Sequence, residues 1–324
     1  MRKDKKWALL AQHIDRSMIR EAIAYELSRP YFDGVPQIRF CEVILNDIYY
    51  GVYVLSEQPT RKRLHLTKTK NTADASGSYL LYFSRPQEAD FTADVKLPSF
   101  EAHYPFQIKY PDEEDMDESR QRWLTTRFTD MVAAINDTTS ESYREYIDEQ
   151  SFIDFQLTNE FAHNTDAFFC SAYIYKDADD VDSTFKMHLW DMDHAFGMGN
   201  EPGYSYHNTW VYSKRSVFGF AGWWINLMKH PSYSEGLHDR WQEYRQGGYS
   251  DEHIEFVIDS LYNMLVGSGA IKRNNRAWKL WDEKGTHGNY PPHVKYLSDS
   301  YEDEVQYIKD WAKLRLQWMD EQLK

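Results

Sequence analysis

The stretch WDMDHAFGMGN, residues 190–200, closes a short apolar run and places Asp191 and Asp193 two residues apart ahead of a glycine-punctuated turn. On a strand, that spacing sends both side chains to one face. Two carboxylates would then converge where the backbone leaves a sheet. Like charges this close raise each other's pKa unless a cation or a donor lies between them. Hard oxygen ligands of this kind suit magnesium, calcium or manganese. The ordinary reading of an isolated Asp-x-Asp is that one aspartate opens a turn and the other caps the next segment. The neighbouring sequence has to decide between the two.

Upstream lies NEFAHNTDAFFCSAYIYKD, residues 159–177. Ser151 and Asp154 resemble a capping box, and Ile153, Leu157 and Phe161 recur at helical spacing. The pattern predicts a helix that begins at Ser151 and ends at Asp166. Strands are expected over 172–175 and 187–190. A hairpin between them would bring Asp166 beside Asp191, which is the layout of a phosphoryl-transfer site. There, one aspartate positions and deprotonates an acceptor hydroxyl while others hold the metal ions that bridge the nucleotide phosphates. No GxxxxGK phosphate loop and no GxSxG elbow occurs in the chain. GMGN, residues 197–200, reads as the flexible start of an activation-segment-like loop, and the polar EPGYSYHNTW after it suits a substrate-binding loop.

Further out, Asp15 is a candidate N-cap for a helix carrying Ile19, Ala22, Ile23 and Leu27, stopped by Pro30. Residues 37–57 read as a β-hairpin turning at Asn46 and Asp47. The basic run Arg61, Lys62, Arg63 is expected to be a solvated loop. A strand pair is expected over 79–83 and 106–110, joined by a polar, proline-marked linker. From about residue 112, acids precede a helix, as the macrodipole favours. The last helix carries Val305, Ile308, Trp311, Leu314 and Trp318 on one face. The expected architecture is α+β, with a small β-rich part (1–111, its strands from about 35) and a larger, mainly helical part (112–324) of one domain spanning 1–324.

Composition narrows the function. A net charge of −14 argues against nucleic acid or an anionic membrane surface as the main partner and fits metal ions or basic segments. No apolar run approaches membrane-spanning length, the opening MRKDKKW leads into no signal core, and the mean hydropathy is −0.73, so the chain reads as soluble and globular. Eleven Trp, 24 Tyr and 17 Phe point to aromatic packing of a large core, or to a surface that stacks sugars or nucleobases. Cys41 and Cys170 are too few for a disulfide framework, and spacing alone leaves their pairing open.

Five ordered stretches, KKWALLAQHIDRSMIREAIAYELSR, LNDIYYGVYVLSEQ, FQIKYPDEED, SFIDFQLTNEFAHNTDAFFCSAYIYKD and WDMDHAFGMGN, resemble the successive motifs of the spore coat protein H family, the CotH kinases. RWQEYRQGGYS and RNNRAW are similar to that family's helical tail. The resemblance implies an atypical protein-kinase-like, two-lobed fold that binds ATP and magnesium (or manganese) and phosphorylates Ser or Thr on a partner protein. It also implies an extracellular, cell-surface or spore-coat-associated setting, with a coat or surface protein as partner. Carried over by residue, Asp166 takes the catalytic-base position, Asp191 the metal-binding position and Asp193 a supporting carboxylate. Lys109 becomes a candidate phosphate contact, and Glu57 a residue that could orient a lysine. Kinase-type sites usually place an Asn five residues after the base; here that metal-holding position is Ser171. The family's domain ordinarily opens with a strand-rich segment carrying an Arg-Gly turn and a lysine, whereas this chain opens at KDKKW, so the expectation is either a truncated small lobe or a degenerate member.

Two other readings compete. One is a non-catalytic scaffold or surface-binding protein of the same fold, associated with carbohydrate. The other is a metal-dependent hydrolase using His188, Asp191, Asp193 and His194, with His163 as a further ligand. On an extended strand the two histidines and the two aspartates face opposite ways, so the hydrolase needs a bend at Asp193.

Overall fold

In the computed structural model, residues 1, 3–69, 75–198, 206–214, 221–281 and 298–324 are described. Gly199, Asn200 and residues 201–205 of the expected substrate loop lie outside them. Two antiparallel sheets carry the β content. The first has the order β1 (Trp7–Ala11), β3 (Ile48–Glu57), β2 (Ile38–Leu45). The β2–β3 turn falls at Asn46 and Asp47, as expected, with φ of 50° and 63° and Leu45 paired to Ile48. Two central residues at positive φ match the twist of a two-residue hairpin, and Asn and Asp tolerate that conformation best after glycine.

The second sheet has the order β5 (Phe91–Leu97), β6 (Phe100–Tyr110), β4 (Tyr79–Phe83), β7 (Tyr173–Lys176), β8 (Lys186–His188). The stretch expected to be a linker is therefore mostly strand. Phe91, Ala93 and Val95 are buried while Thr92, Asp94 and Lys96 are exposed, a two-residue alternation whose polar half resembles loop. β7 and β8 arrive from beyond residue 112 and join β4, so this sheet draws strands from both expected parts of the chain. The basic run is only partly solvated: Lys62 is exposed, but Arg63 is buried, donates to the carbonyls of Lys6 and Gln58, and lies over the Trp7 ring.

Helices fill the rest: α1 (Arg20–Ser28), α2 (Glu118–Asn136), α3 (Glu149–Ala162), α4 (Val211–Lys214), α5 (Ala221–Leu227), α6 (Pro231–Gln246), α7 (Asp251–Gly267), α8 (Ala270–Trp278) and α9 (Tyr301–Gln322). Most aromatic side chains are core. Phe152 and Phe155 of α3 stack on Trp224, and Phe128 of α2 stacks on Phe185. The N-cap of α3 is Asp148, three residues before the expected Ser151, and its side chain accepts from the Ser151 amide. The Ser151 hydroxyl instead accepts from the Met187 amide and ties α3 to β8. In α9, Ser300 caps and Val305, Ile308 and Trp311 are buried, but Leu314 is exposed, and the inner face continues through Arg315, Leu316 and Met319. Among the described residues no single helix is long and apolar enough to cross a membrane.

Candidate active site

β8 ends at His188, so Asp191 and Asp193 sit in a loop and not on a strand. The spacing argument therefore fails. Asp191 has a φ of 57°, in the left-handed region, and the bend this makes brings the two carboxyl groups into a hydrogen bond with each other. Such a bond needs one proton. Burial, followed by the charges of Asp191, Glu21, Asp15 and Asp166, pushes Asp193 well above the usual carboxylate range. Burial also raises Asp191, opposed by a hydrogen bond from Ser171 and the nearby His194. Asp193 still keeps 25% of its side-chain surface open, so solvent reaches the pair.

α3 ends at Ala162, capped by His163 in the left-handed conformation, rather than at Asp166. Asp166 lies in the turn that follows, half-buried, and its carbonyl accepts from the Phe169 and Cys170 amides at 2.9 Å. Its charge acts on both Asp191 and Asp193. Ser171, at φ 56°, hydrogen-bonds the Asp191 carboxylate and accepts from the Tyr82 hydroxyl at 3.3 Å. The fold thus gathers Asp166, Ser171, Asp191 and Asp193 from two separate stretches. Among the described residues, however, no three His, Cys, Asp or Glu side chains stand close enough to form a closed metal chelate.

The two candidates for nucleotide contacts separate. Lys109, at the end of β6, lies over the Tyr82 ring and donates to Gln107; burial holds its pKa down, and the charges acting on it are Asp90 and Lys6. Through Tyr82 it borders Ser171. Glu57 is buried in the other sheet, where it accepts from the Gln37 amide and stands 4.0 Å from Arg63. It stands beside an arginine. Of the histidines, His188 is fully buried, its ring edge-on to Phe32 and Tyr175, with Nδ1 on the Leu189 carbonyl. His163 is buried against Thr209, and His194 lies 4.0 Å from Asp193. Cys41 and Cys170 are both free thiols.

Sequence reading placed α1 but missed its charged residues beside the acidic loop. Glu21 is buried, accepts from Tyr25 at 3.0 Å and from Gln12 at 3.2 Å, and is pushed to about 7 by burial and by Asp191. The N-cap of α1 is Ile19 rather than the expected Asp15, although the Asp15 carboxylate accepts from the Arg20 amide at 2.9 Å. The buried Arg20 pairs with Asp15 and Glu304 and donates to the Ala195 carbonyl, pinning the segment after Asp193. Gly197 follows at φ 81°, where a Cβ would collide with Trp311 and Tyr307 of α9. The available signal was a charged pair, Arg20-Glu21, inside an otherwise apolar helix.

Two small antiparallel sheets and a larger helical body make a mixed α+β architecture, consistent with a kinase-like protein of small β-rich and larger helical parts. The family model described as CotH kinase protein matches residues 1–319, and the chain belongs to that family. No curated protein matches it.

Proposed function

We propose that this chain is a protein kinase that transfers the ATP γ-phosphate to a Ser or Thr hydroxyl of a partner protein, with magnesium or manganese as the metal. The observation that carries the reading is the buried Asp191–Asp193 pair, each raised by burial and by neighbouring acids, beside Asp166 and Ser171. Family membership favours the same chemistry. The donor set is all hard oxygen and suits a magnesium-sized ion; Asp191, Asp193 and Ser171 would hold it. Once bound, the metal supplies positive charge for the phosphates. Asp166 takes the proton of the acceptor hydroxyl, whose oxygen bonds to the γ-phosphorus as the bond to the β-phosphate bridging oxygen breaks, leaving ADP. Lys109, over the Tyr82 ring, is the candidate for a phosphate contact. The partner is a coat or cell-surface protein, and the setting extracellular or spore-associated.

A binding-only role for the same fold is favoured by Ser171 in place of a kinase-type asparagine. Transfer from γ-labelled ATP, scored on casein and on the protein itself with magnesium and with manganese, separates the two. Transfer in the wild type, reduced roughly 100-fold or more in Asp166→Ala, is the expected result. No transfer by the wild type would favour binding alone, and full transfer by Asp166→Ala would remove Asp166 from the base position.

A further inference from the structure

Asp191 is a residue other than glycine at positive φ, and both of its backbone polar groups are held by buried side chains from different parts of the fold. Asn164, fully buried just beyond the α3 cap, donates from Nδ2 to the Asp191 carbonyl at 3.2 Å. The same amide group reaches the Asn159 side chain at 3.3 Å and Met192 Sδ at 3.2 Å, so its orientation is fixed. On the other side, the Asp191 amide donates to the Tyr25 hydroxyl. That hydroxyl in turn donates to Glu21 Oε1 at 3.0 Å, while Gln12 holds Oε2 at 3.2 Å. Tyr25 is fully buried in α1, so water does not replace it.

We propose that Tyr25 and Asn164 are positioning residues that clamp the Asp191 backbone in its left-handed conformation, with Glu21 holding the Tyr25 hydroxyl in place. The conformation matters because it decides where the carboxylate points. At φ 57° the side chain meets Ser171 and Asp193. Released to the ordinary negative-φ region, which aspartate prefers, the same carboxylate would rotate away from both. Neither hydrogen bond alone determines φ, but one on the amide and one on the carbonyl, from separate elements, remove the rotation between them. The clamp also explains a carboxylate inside α1 that touches the acidic loop only through a tyrosine. Its relevance to catalysis rests on the phosphotransfer reading; its geometry does not.

The test combines hydrogen exchange at the Asp191 amide with Mn²⁺ titration in the presence of ATP, followed by the resonance of free Mn²⁺. Tyr25→Phe keeps the ring and removes the hydroxyl; Asn164→Leu keeps the shape and removes the donor. Both should keep a cooperative thermal transition and weaken Mn²⁺ binding roughly 10-fold, as loss of a supporting hydrogen bond does at metal sites. Tyr25→Phe should also lose protection at the Asp191 amide, while Glu21→Gln, which still offers Tyr25 an acceptor, should retain it. Unchanged amide protection in Tyr25→Phe would overturn the clamp. Lost protection with unchanged Mn²⁺ affinity would overturn its positioning role. Wild type that binds no Mn²⁺ with ATP counts against the phosphotransfer reading, and the amide protection then decides the clamp by itself.

Discussion

Glu160 on α3 and Asp193 in the loop after β8 are both acids raised by burial, yet their surroundings differ in kind. Glu160 is fully buried and complete: Arg315 meets its carboxylate at 3.0 Å, and the Val211 and Tyr212 amides donate to it at 2.9 and 2.8 Å. The same arginine donates to the His207 and Thr209 carbonyls, so the pair fastens α3, α9 and the segment leading into α4. Asp193 is partly open and is surrounded mainly by other acids, with His194 at 4.0 Å. A structural acid is closed by a cation from the chain; a site that takes an ion keeps the acids and leaves the cation to come from outside.

The largest expected effect comes from breaking the closed group. Arg315→Met strands Glu160 in the interior and should cost about 3–5 kcal/mol of stability in urea unfolding. A loss below about 1 kcal/mol would mean that the pair fastens nothing.

Acid titration sharpens the comparison next. Glu21 and Glu160 rise from 4.5 to about 7 in the folded chain, each first through burial. Between those values the folded state keeps protons that the unfolded state has released. Stability is therefore full at low pH in this window and falls as pH rises toward 7, by about 1.4 kcal/mol per pH unit for each such group. Urea midpoints at pH 5, 6 and 7 without metal should decline in that order, and Glu21→Gln should flatten its share of the decline. Midpoints that rise across the window contradict this.

The smallest effect has the opposite sign. Asp193→Asn removes an acid whose pKa is raised on folding, and with it the penalty such a group imposes above its unfolded pKa, and should stabilise the metal-free protein at pH 8 by about 1 kcal/mol. Destabilisation on the scale of Arg315→Met would show that Asp193 belongs to the closed kind.

The same contrast explains what could be read in the sequence. The β2–β3 hairpin was legible because its turn residues and β-branched runs agree. β5 was not, because its exposed half, Thr92, Asp94 and Lys96, has the composition of a loop. Motif order singled out Asp166, Ser171, Asp191 and Asp193, the residues of the proposed site, although the reason given for the aspartate pair was wrong: a left-handed bend, not a strand face, brings them together. Glu21 was hidden. Ile19, Ala22, Ile23 and Leu27 suggest a helix with one inner face, which puts Arg20 and Glu21 in water, whereas all of α1 but Glu26 is buried. A charge on a helix buried all round needs a partner, and that partner is tertiary.

The central claim is that the Asp191–Asp193 group is open to a cation and nucleotide from outside. Thermal unfolding at neutral pH with and without MgATP tests it most directly, since a ligand bound only by the folded state must raise the midpoint. The wild type should gain about 3 °C or more at saturating MgATP, and Asp191→Ala should gain nothing. An unmoved wild-type midpoint, or an equal gain in Asp191→Ala, would contradict the claim.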